Sequence, residues 1–212
     1  MTFASREDAG RRLGVHLRER GLETGVVLGL PRGGVVVAAE VARILHRPLD
    51  VLIVRKIGHP FHREFAVGAM AEHGVILLDE TVIGSDEVVR AKLNQVIHDE
   101  EARLREYELK FHSESRCDLK ARSVLLVDDG LATGATLEAA ALSVGIQRAR
   151  EIIVAAPVAS ISAVERLRRV VDDVLVLFID PDFQAVGNYY DAFPQTTDEE
   201  VVELLKAGRG VG

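Results

Sequence analysis

Residues 124–136 constrain the fold of this 212-residue chain more than any other stretch of its sequence. The stretch begins with four apolar residues, which are typical of a strand that is buried on both faces of a sheet. Two adjacent carboxylates, Asp128 and Asp129, follow the strand, and a loop of small residues then leads into a helix. A strand, a polar loop and a helix in this order indicate a fold of the α/β class.

The same stretch combines groups that suit a ligand with both a sugar diol and a phosphate. Ionised carboxylates only accept hydrogen bonds, so Asp128 and Asp129 match the two hydroxyl donors of a ribose edge. Gly134 can adopt a positive φ and allows a ligand to approach the backbone. The N–H groups at the start of the following helix, with the hydroxyls of Thr133 and Thr136, favour an anion. The sequence therefore predicts a sugar bound by the carboxylates with its 5′-phosphate on the loop.

Apolar strands alternate with helical patterns along most of the chain. This alternation predicts a mainly parallel, twisted sheet with helices on both faces, in one domain that covers residues 1–212. Ligands of such sheets bind beyond the carboxyl ends of the strands. Strands are expected at about 26–30, 49–54, 75–78, 124–127, 152–156 and 174–178, and helices at about 5–20, 34–45, 85–112, 135–148, 160–169 and 198–207.

Two of the expected helices have identifiable ends or faces. Ser5 is a suitable N-cap for the first helix, and Gly21 is a suitable terminator. Ser85 is expected to begin the long charged helix. One packing face of that helix would be formed by Val88, Leu93, Val96, Leu104 and Tyr107.

Residues 124–136 resemble the 5-phosphoribosyl-1-diphosphate (PRPP) motif of the type I phosphoribosyltransferases. That motif has four apolar residues, two acidic residues and a small-residue loop ending Thr-Gly-x-Thr/Ser, and every position here fits. The resemblance implies the type I phosphoribosyltransferase fold with a small hood. It implies an enzyme that transfers 5-phosphoribosyl from PRPP, its co-substrate, to a nitrogenous acceptor with Mg²⁺. It also implies that PRPP contacts Asp128, Asp129, Gly130, Ala132, Thr133, Gly134, Ala135 and Thr136.

Two basic segments resemble the diphosphate-binding parts of the same family. Residues 31–34 correspond to the family's pyrophosphate loop, which assigns Arg32 and Gly33 to PRPP and implies a cis peptide bond between them. Arg55 and Lys56 follow the second strand, where the family commonly has a basic residue. We favour Lys56 as the cation that stabilises the leaving diphosphate, with a solvated strand end as the alternative.

The stretch at about 57–74 is polar, contains glycine and shows little periodicity, so we expect a mobile loop. It resembles the family's lid, which keeps water away from the reacting centre. His59 and His62 lie within it. No cysteine or further histidine is placed to complete a zinc set, so a metal role for these two is not expected.

Residues 180–212 are expected to form a hood and tail, whose first part is similar to the hypoxanthine–guanine branch of the family. That similarity implies that Phe183 stacks on the acceptor, that Val186 and Gly187 follow it, and that Asp191 helps to hold Mg²⁺. Packing of Phe183 onto the core is the alternative. The purine branch has a lysine near the fifth strand, whereas residues 155–160 contain none, so the acceptor stays open.

The resemblance also implies chemical roles for the paired carboxylates. Asp128 and Asp129 would stabilise positive charge at C1′ and complete the shell of Mg²⁺. Asp129 is also a candidate to accept the acceptor's proton. With Lys56 at the leaving group, these three are the predicted catalytic residues.

Composition limits the cellular role of the chain. The net charge of −7 disfavours nucleic acid and anionic membranes as partners. A single cysteine, Cys117, excludes a disulfide within the chain and fits a cytoplasmic location. No apolar run is long enough for a membrane span. Dimerisation is common in the similar family, so a homodimer is a further expectation.

Two alternatives to an enzyme stay open at this point. The first is a regulatory module of the same fold that binds PRPP or nucleotides without catalysis. The second is a receiver-like doubly wound domain whose aspartate pair binds Mg²⁺. Signatures of other α/β proteins are absent, since the sequence has no Walker A, Gly-x-Ser-x-Gly or Gly-x-Gly-x-x-Gly pattern.

Overall fold

The computed structural model describes residues 2–84, 87–112 and 116–208. Seven α-helices, eight strands and one 3₁₀ turn are present in these residues. In chain order they are α1 (Arg6–Glu19), β1 (Val26–Gly29), α2 (Gly33–Leu45), β2 (Leu49–Val51), β3 (Val54–His59), β4 (His62–Ala71), β5 (Val75–Leu78), α3 (Glu80–Ile83), α4 (Glu87–Phe111), β6 (Ser123–Val127), α5 (Ala135–Ile146), β7 (Glu151–Ser160), α6 (Ile161–Leu167), β8 (Asp173–Asp180), the 3₁₀ turn Val186–Tyr189 and α7 (Asp198–Gly208).

A five-stranded parallel sheet with strand order β2-β1-β6-β7-β8 forms the centre of the fold. Alternate residues of its strands pack into two hydrophobic clusters on opposite faces. Val27 and Leu125 pack with residues of α1, α2, α4 and α7, whereas Val26 and Leu126 pack with residues of α5 and α6. Helices therefore cover both faces, which confirms the predicted fold class.

The register of the sheet determines which loops become neighbours. Strands β1 and β6 pair in parallel from Val26 opposite Val124 to Gly29 opposite Val127. Their carboxyl ends therefore lie side by side at one edge of the sheet. The loop that contains Arg32 and the loop that begins at Asp128 follow these two ends, so they lie next to each other.

Local sequence signals explain several helix ends. The Ser5 hydroxyl caps α1 by accepting a hydrogen bond from the N–H of Asp8, as predicted, and Gly21 follows the helix with a φ of 68°. The Ser160 hydroxyl caps α6 in the same way. Gly134 precedes α5 with a φ of 75°, a value that glycine adopts without strain.

Most of residues 57–74, for which we expected a mobile loop, belong to regular strands, and the strand expected at 75–78 is confirmed as β5. These strands form an antiparallel sheet in which β4 pairs with both β3 and β5, and we call this sheet the flap. The outer half of β4, residues 62–66, is exposed, whereas Val67 and the residues after it are mostly buried. An exposed hairpin end needs no apolar alternation, so residues 62–66 carry no strand pattern.

The strands of the main sheet also have bounds that differ from the expectation. The strand expected at 49–54 is divided, since β2 ends at Val51 and β3 begins at Val54 in the flap. Strands β7 and β8 extend further than expected, to Ser160 and Asp180. The extension of β7 begins at Pro157, which interrupts the apolar run, and both extensions end in a polar residue.

The long charged helix differs in detail from the expectation. Its predicted first residue, Ser85, lies outside the described residues, and α4 is described from Glu87. Val88 is 58% exposed, so it does not belong to the packing face. Tyr107 is half-buried against the core, and the fully buried members of the predicted face are Leu93, Val96 and Leu104.

The tail returns to the N-terminus after β8. Phe3 bridges to Tyr190, and both residues pack with Ala9, Val158 and Tyr189 in a small hydrophobic cluster. The tail then ends in α7, which packs on α2 and β2. In the described parts of the chain, no helix has both the length and the apolar character that crossing a bilayer requires.

Candidate active site

A cleft of about 790 Å³ opens at the carboxyl ends of β1 and β6. Its walls come from the loop at 30–33, from the flap, from the middle of α4 and from residues 128–137, with Val186 contributed by the tail. Of the residues that we predicted to bind PRPP, all line this cleft except Ala135, the first residue of α5. The structure therefore brings the residues predicted to bind the sugar, the 5′-phosphate and the diphosphate together in one cleft.

The loop after Asp129 is supported by the end of β7. The N–H of Leu131 donates to the carbonyl of Val158, and the Ser160 hydroxyl donates to the carbonyl of Ala132 at 2.6 Å. Among the described residues, none accepts a hydrogen bond from the N–H groups of residues 132–134. These N–H groups lie where the positive end of the α5 dipole adds to them, which suits an anion.

The two motif carboxylates lie next to each other and are largely withdrawn from solvent. Burial raises the pKa of Asp128 well above its usual range, and the neighbouring Asp129 carboxylate adds to the shift, while Lys56 and Arg6 oppose it. Burial also raises the pKa of Asp129, against a hydrogen bond from Arg6. Both carboxyl groups are thus costly to ionise in the unliganded site, and a ligand hydroxyl that donates to them would stabilise the ionised forms.

Ionisation of Asp128 is expected to lower the stability of the unliganded protein. Its pKa is raised in the folded state, so the folded protein binds more protons than the unfolded chain once the pH exceeds the usual value of about 3.8. Stability then falls as the pH rises from that value to the raised pKa of Asp128 in the folded protein. Asn at this position keeps an oxygen that can accept the N–H of Asp129 but carries no charge.

We expect Asp128→Asn to raise the melting temperature at pH 8, because the uncharged amide avoids the cost of a buried carboxylate. The gain should be smaller at pH 5, and calorimetric melts at both values measure the difference. Asp118→Asn, an exposed change outside the cleft, is the control. A gain that is equal at both pH values would contradict the assigned cause.

Arg6 contacts the site from outside the cleft, and the sequence did not predict this contact. Its Nε–H donates to Asp129 Oδ2 at 2.8 Å, and its Nη1 donates to the carbonyl of Pro194 at 2.7 Å. Only 9% of the residue is exposed. The one available signal was weak: a cation in the first turn of a helix is disfavoured by the helix dipole, which suggests another partner.

Two glycines let the loop after β1 lie directly against the carboxylates. A Cβ atom on Gly33 would overlap Asp129 Oδ2, and one on Gly34 would lie 2.6 Å from Asp128 Oδ1. No side chain fits at either position without displacing a carboxylate. The cis peptide bond of this loop joins Pro31 to Arg32, so the expected position between Arg32 and Gly33 was wrong by one bond.

The basic residues of the cleft differ in how they are engaged. Arg55 pairs with Glu100 at 2.8 Å. Lys56 is exposed and lines the cleft. Its positive charge is close enough to the two aspartates to oppose the rise in both of their pKa values. Arg32 lies at the start of α2 with its Nη1 3.7 Å from Asp198. This arrangement is compatible with our preference for Lys56 over Arg55.

Charged groups of the flap and of α4 also line the cleft; those of the flap lie in the segment predicted as a lid, whereas those of α4 were not predicted. Arg63 and Glu64 of the flap line the cleft, together with Asp99, Glu100 and Arg103 of α4. Arg103 pairs with Glu100. The α4 contribution depends on how a distant helix packs on β3 of the flap, which no local pattern in the sequence indicates.

A family model described as the phosphoribosyl transferase domain matches residues 5–191. The chain belongs to the phosphoribosyl transferase family. The match covers the cleft and both motif loops, and it confirms the resemblance to the type I phosphoribosyltransferases. The receiver-like alternative is therefore set aside.

Similar proteins agree with this family. Two proteins from Mycobacterium tuberculosis strains CDC 1551 / Oshkosh and ATCC 25618 / H37Rv, provisionally named phosphoribosyl transferases, are 41% identical over 204 residues. The match covers 96% of this chain and 46% of each relative, so the chain spans about half the length of the curated relatives it matches.

Solved structures show the same fold. TT1426 from Thermus thermophilus is 43% identical with a TM-score of 0.81, over 99% of this chain and 100% of that protein. A hypothetical protein from Neisseria gonorrhoeae with bound ppGpp is 16% identical with a TM-score of 0.51, over 99% and 96% of the two chains. The second likeness concerns the fold alone.

Of the predicted tail residues, Val186 lines the cleft, whereas Phe183 and Asp191 lie outside it. The Phe183 ring stacks on Tyr189 with 5.3 Å between ring centres, and neither Phe183 nor Asp191 lines the cleft. Asp191 is exposed, and its N–H donates to the carbonyl of Phe3. Among the described residues, no group of three or more His, Cys, Asp or Glu side chains could hold a metal ion by itself.

Proposed function

We propose that this protein is an enzyme that transfers the 5-phosphoribosyl group of PRPP to a nitrogenous acceptor and releases pyrophosphate. One observation carries the proposal: Asp128 and Asp129 line the same cleft as residues 132–134, whose N–H groups have no acceptor among the described residues. Hydroxyls need acceptors and a phosphate needs donors. A ribose 5-phosphate satisfies both sets of groups at once.

The diphosphate of PRPP would lie towards Arg32 and Lys56. Negative charge increases on the diphosphate as its bond to C1′ breaks, and these two cations would stabilise that charge. Positive charge develops at C1′ in the same step, next to Asp128 and Asp129. Opposite charges in the cleft thus match the charges of the proposed transition state.

Mg²⁺ fits the donor set only in part. Mg²⁺ commonly joins one or two carboxylates to substrate phosphates and keeps several waters. Asp128 and Asp129 lie in the cleft and suit this role, whereas Asp191 would need the tail to move. When bound, Mg²⁺ would neutralise charge on the diphosphate oxygens.

The flap supports a reaction from which water must be excluded. Its residues Arg63 and Glu64 are among those that line the cleft. We propose that the flap, rather than an irregular loop, covers PRPP and keeps water from attacking C1′. Stacking of the acceptor on Phe183 would require that ring to leave its contact with Tyr189.

The proposed reaction is tested by incubating the protein with PRPP, Mg²⁺ and a panel of purine, pyrimidine and other nitrogenous acceptors. We expect one acceptor class to give stoichiometric pyrophosphate and a phosphoribosylated product. Binding of PRPP without pyrophosphate release across the panel would favour the regulatory module of the same fold.

Lys56→Ala is expected to lower kcat by about 100-fold, a loss typical of removing one group that stabilises developing negative charge. The fold should be unaffected because Lys56 is exposed. Steady-state kinetics with the acceptor found above measure the effect. Lys120→Ala, also an exposed change outside the cleft, should leave kcat unchanged. A kcat of Lys56→Ala close to the wild-type value would contradict the assignment.

A further inference from the structure

The two carboxylates of the motif do not have the same partners. Asp129 Oδ2 accepts the Nε–H of Arg6 at 2.8 Å, and the exposed fractions of the two side chains are 16% and 10%. Asp128 Oδ1 instead accepts the backbone N–H of Asp129. A guanidinium therefore occupies one oxygen of Asp129, whereas Asp128 has no such side-chain donor in the described residues.

Arg6 is itself held in one orientation by the tail. Its Nη1 donates to the carbonyl of Pro194 at 2.7 Å, and its guanidinium carbon lies 3.7 Å from the ring centre of Phe193. A guanidinium that donates in two directions and stacks on a ring loses most of its rotational freedom. The direction of its hydrogen bond to Asp129 is fixed for the same reason.

Asp129 is restrained from two further directions. The Tyr190 hydroxyl donates to the backbone carbonyl of Asp129 at 2.6 Å. Gly33 lies against the ion pair so closely that a Cβ atom there would be 2.5 Å from Arg6 Nε. Three segments that are distant in the sequence thus restrain Asp129, whose carboxylate lines the cleft.

We propose that Arg6 is a positioning residue that occupies Oδ2 of Asp129 and so leaves Oδ1 to accept a hydrogen bond from a ribose hydroxyl. This inference rests on the proposed function and deepens it, because it assigns how the site recognises a sugar with a diol. Arg6 does not touch the sugar itself. It keeps the carboxylate from rotating away from the diol.

The test compares two five-membered ring phosphates that share the 5′-phosphate. 1,4-Anhydroribitol 5-phosphate has both ring hydroxyls, and tetrahydrofurfuryl phosphate has neither. Calorimetric titration of each into the wild-type protein gives the preference for the diol. Hydrogen bonds to two charged groups predict a preference of at least about 100-fold.

Arg6→Met is expected to reduce this preference by about 10-fold, the effect of one hydrogen bond to a charged group. The affinity for tetrahydrofurfuryl phosphate should stay within about 2-fold of the wild-type value, because the phosphate loop is untouched. Arg6→Lys keeps the charge and should recover part of the preference. Arg12→Met is the matched control on the same helix, since Arg12 pairs with Asp8 at 2.9 Å and does not line the cleft.

A purely structural role for Arg6 predicts that Arg6→Met weakens both ligands equally, and that result would overturn the inference while leaving the proposed function intact. A wild-type protein that binds neither compound would overturn both. If Arg6→Met melts below the assay temperature, Tyr190→Phe replaces it, since it removes only the hydroxyl that holds the Asp129 backbone. A smaller loss of the diol preference is then expected, and an unchanged preference would contradict the inference.

Discussion

Asp128→Asn combined with Asp129→Asn is expected to weaken PRPP binding by at least about 100-fold, to the limit of detection by calorimetry. Each carboxylate is proposed to accept a hydrogen bond from the ribose, and a hydrogen bond to a charged group contributes about 1.5–3 kcal/mol. Two such bonds account for the expected loss. The amides retain the size of the carboxyl groups, so the cleft keeps its shape.

A matched control for the double variant is present in the same chain. Asp172 and Asp173 are also adjacent carboxylates, but they are exposed at the beginning of β8, away from the cleft. Asp172→Asn with Asp173→Asn makes the same change in charge and should leave PRPP affinity unchanged. Equal losses in the two double variants would mean that total charge, rather than the motif pair, controls binding.

Gly33→Ala is expected to lower kcat/KM by at least about 100-fold while the protein stays folded, because misplacement of a binding group by about 1 Å can cost that much in rate. The added methyl group would overlap Asp129 Oδ2 and lie 2.5 Å from Arg6 Nε, so the ion pair must separate or shift. Steady-state kinetics and circular dichroism melts measure the two effects.

Gly145→Ala separates this effect from a general response to alanine. Gly145 is in α5, and a Cβ atom there would have no neighbour within 4 Å. Alanine should stabilise the helix by about 0.5–1 kcal/mol and leave kcat/KM unchanged. Near-normal kcat/KM in Gly33→Ala would show that the carboxylates tolerate displacement, which contradicts the assigned geometry.

The parts of the site that could be predicted from the sequence are those built from consecutive residues. The strand before Asp128, the acidic pair and the glycine at 134 form one local unit, so residue types and spacing were sufficient. The loop at Arg32 and Gly33 was recognised for the same reason. Alternation of apolar strands and helices likewise predicted the parallel sheet.

The parts that could not be predicted depend on contacts between distant segments. Arg6 reaches Asp129 across 123 residues of sequence, and α4 reaches the cleft because it packs on β3 of the flap. The flap itself lacked a strand pattern because the outer half of β4 is exposed on both faces, so its polar and apolar residues do not alternate. The packing of Phe183 on Tyr189 is of the same kind, since either an acceptor or the core could satisfy an aromatic ring.

A crystal structure of the protein with PRPP and Mg²⁺ would test the proposed site most directly. We expect density in the cleft with the ribose hydroxyls in hydrogen-bond contact with Asp128 and Asp129. The 5′-phosphate should lie on the N–H groups of residues 132–134, and the diphosphate near Arg32 and Lys56. Density for PRPP outside this cleft, or a sugar whose hydroxyls point away from both aspartates, would contradict the proposed binding mode.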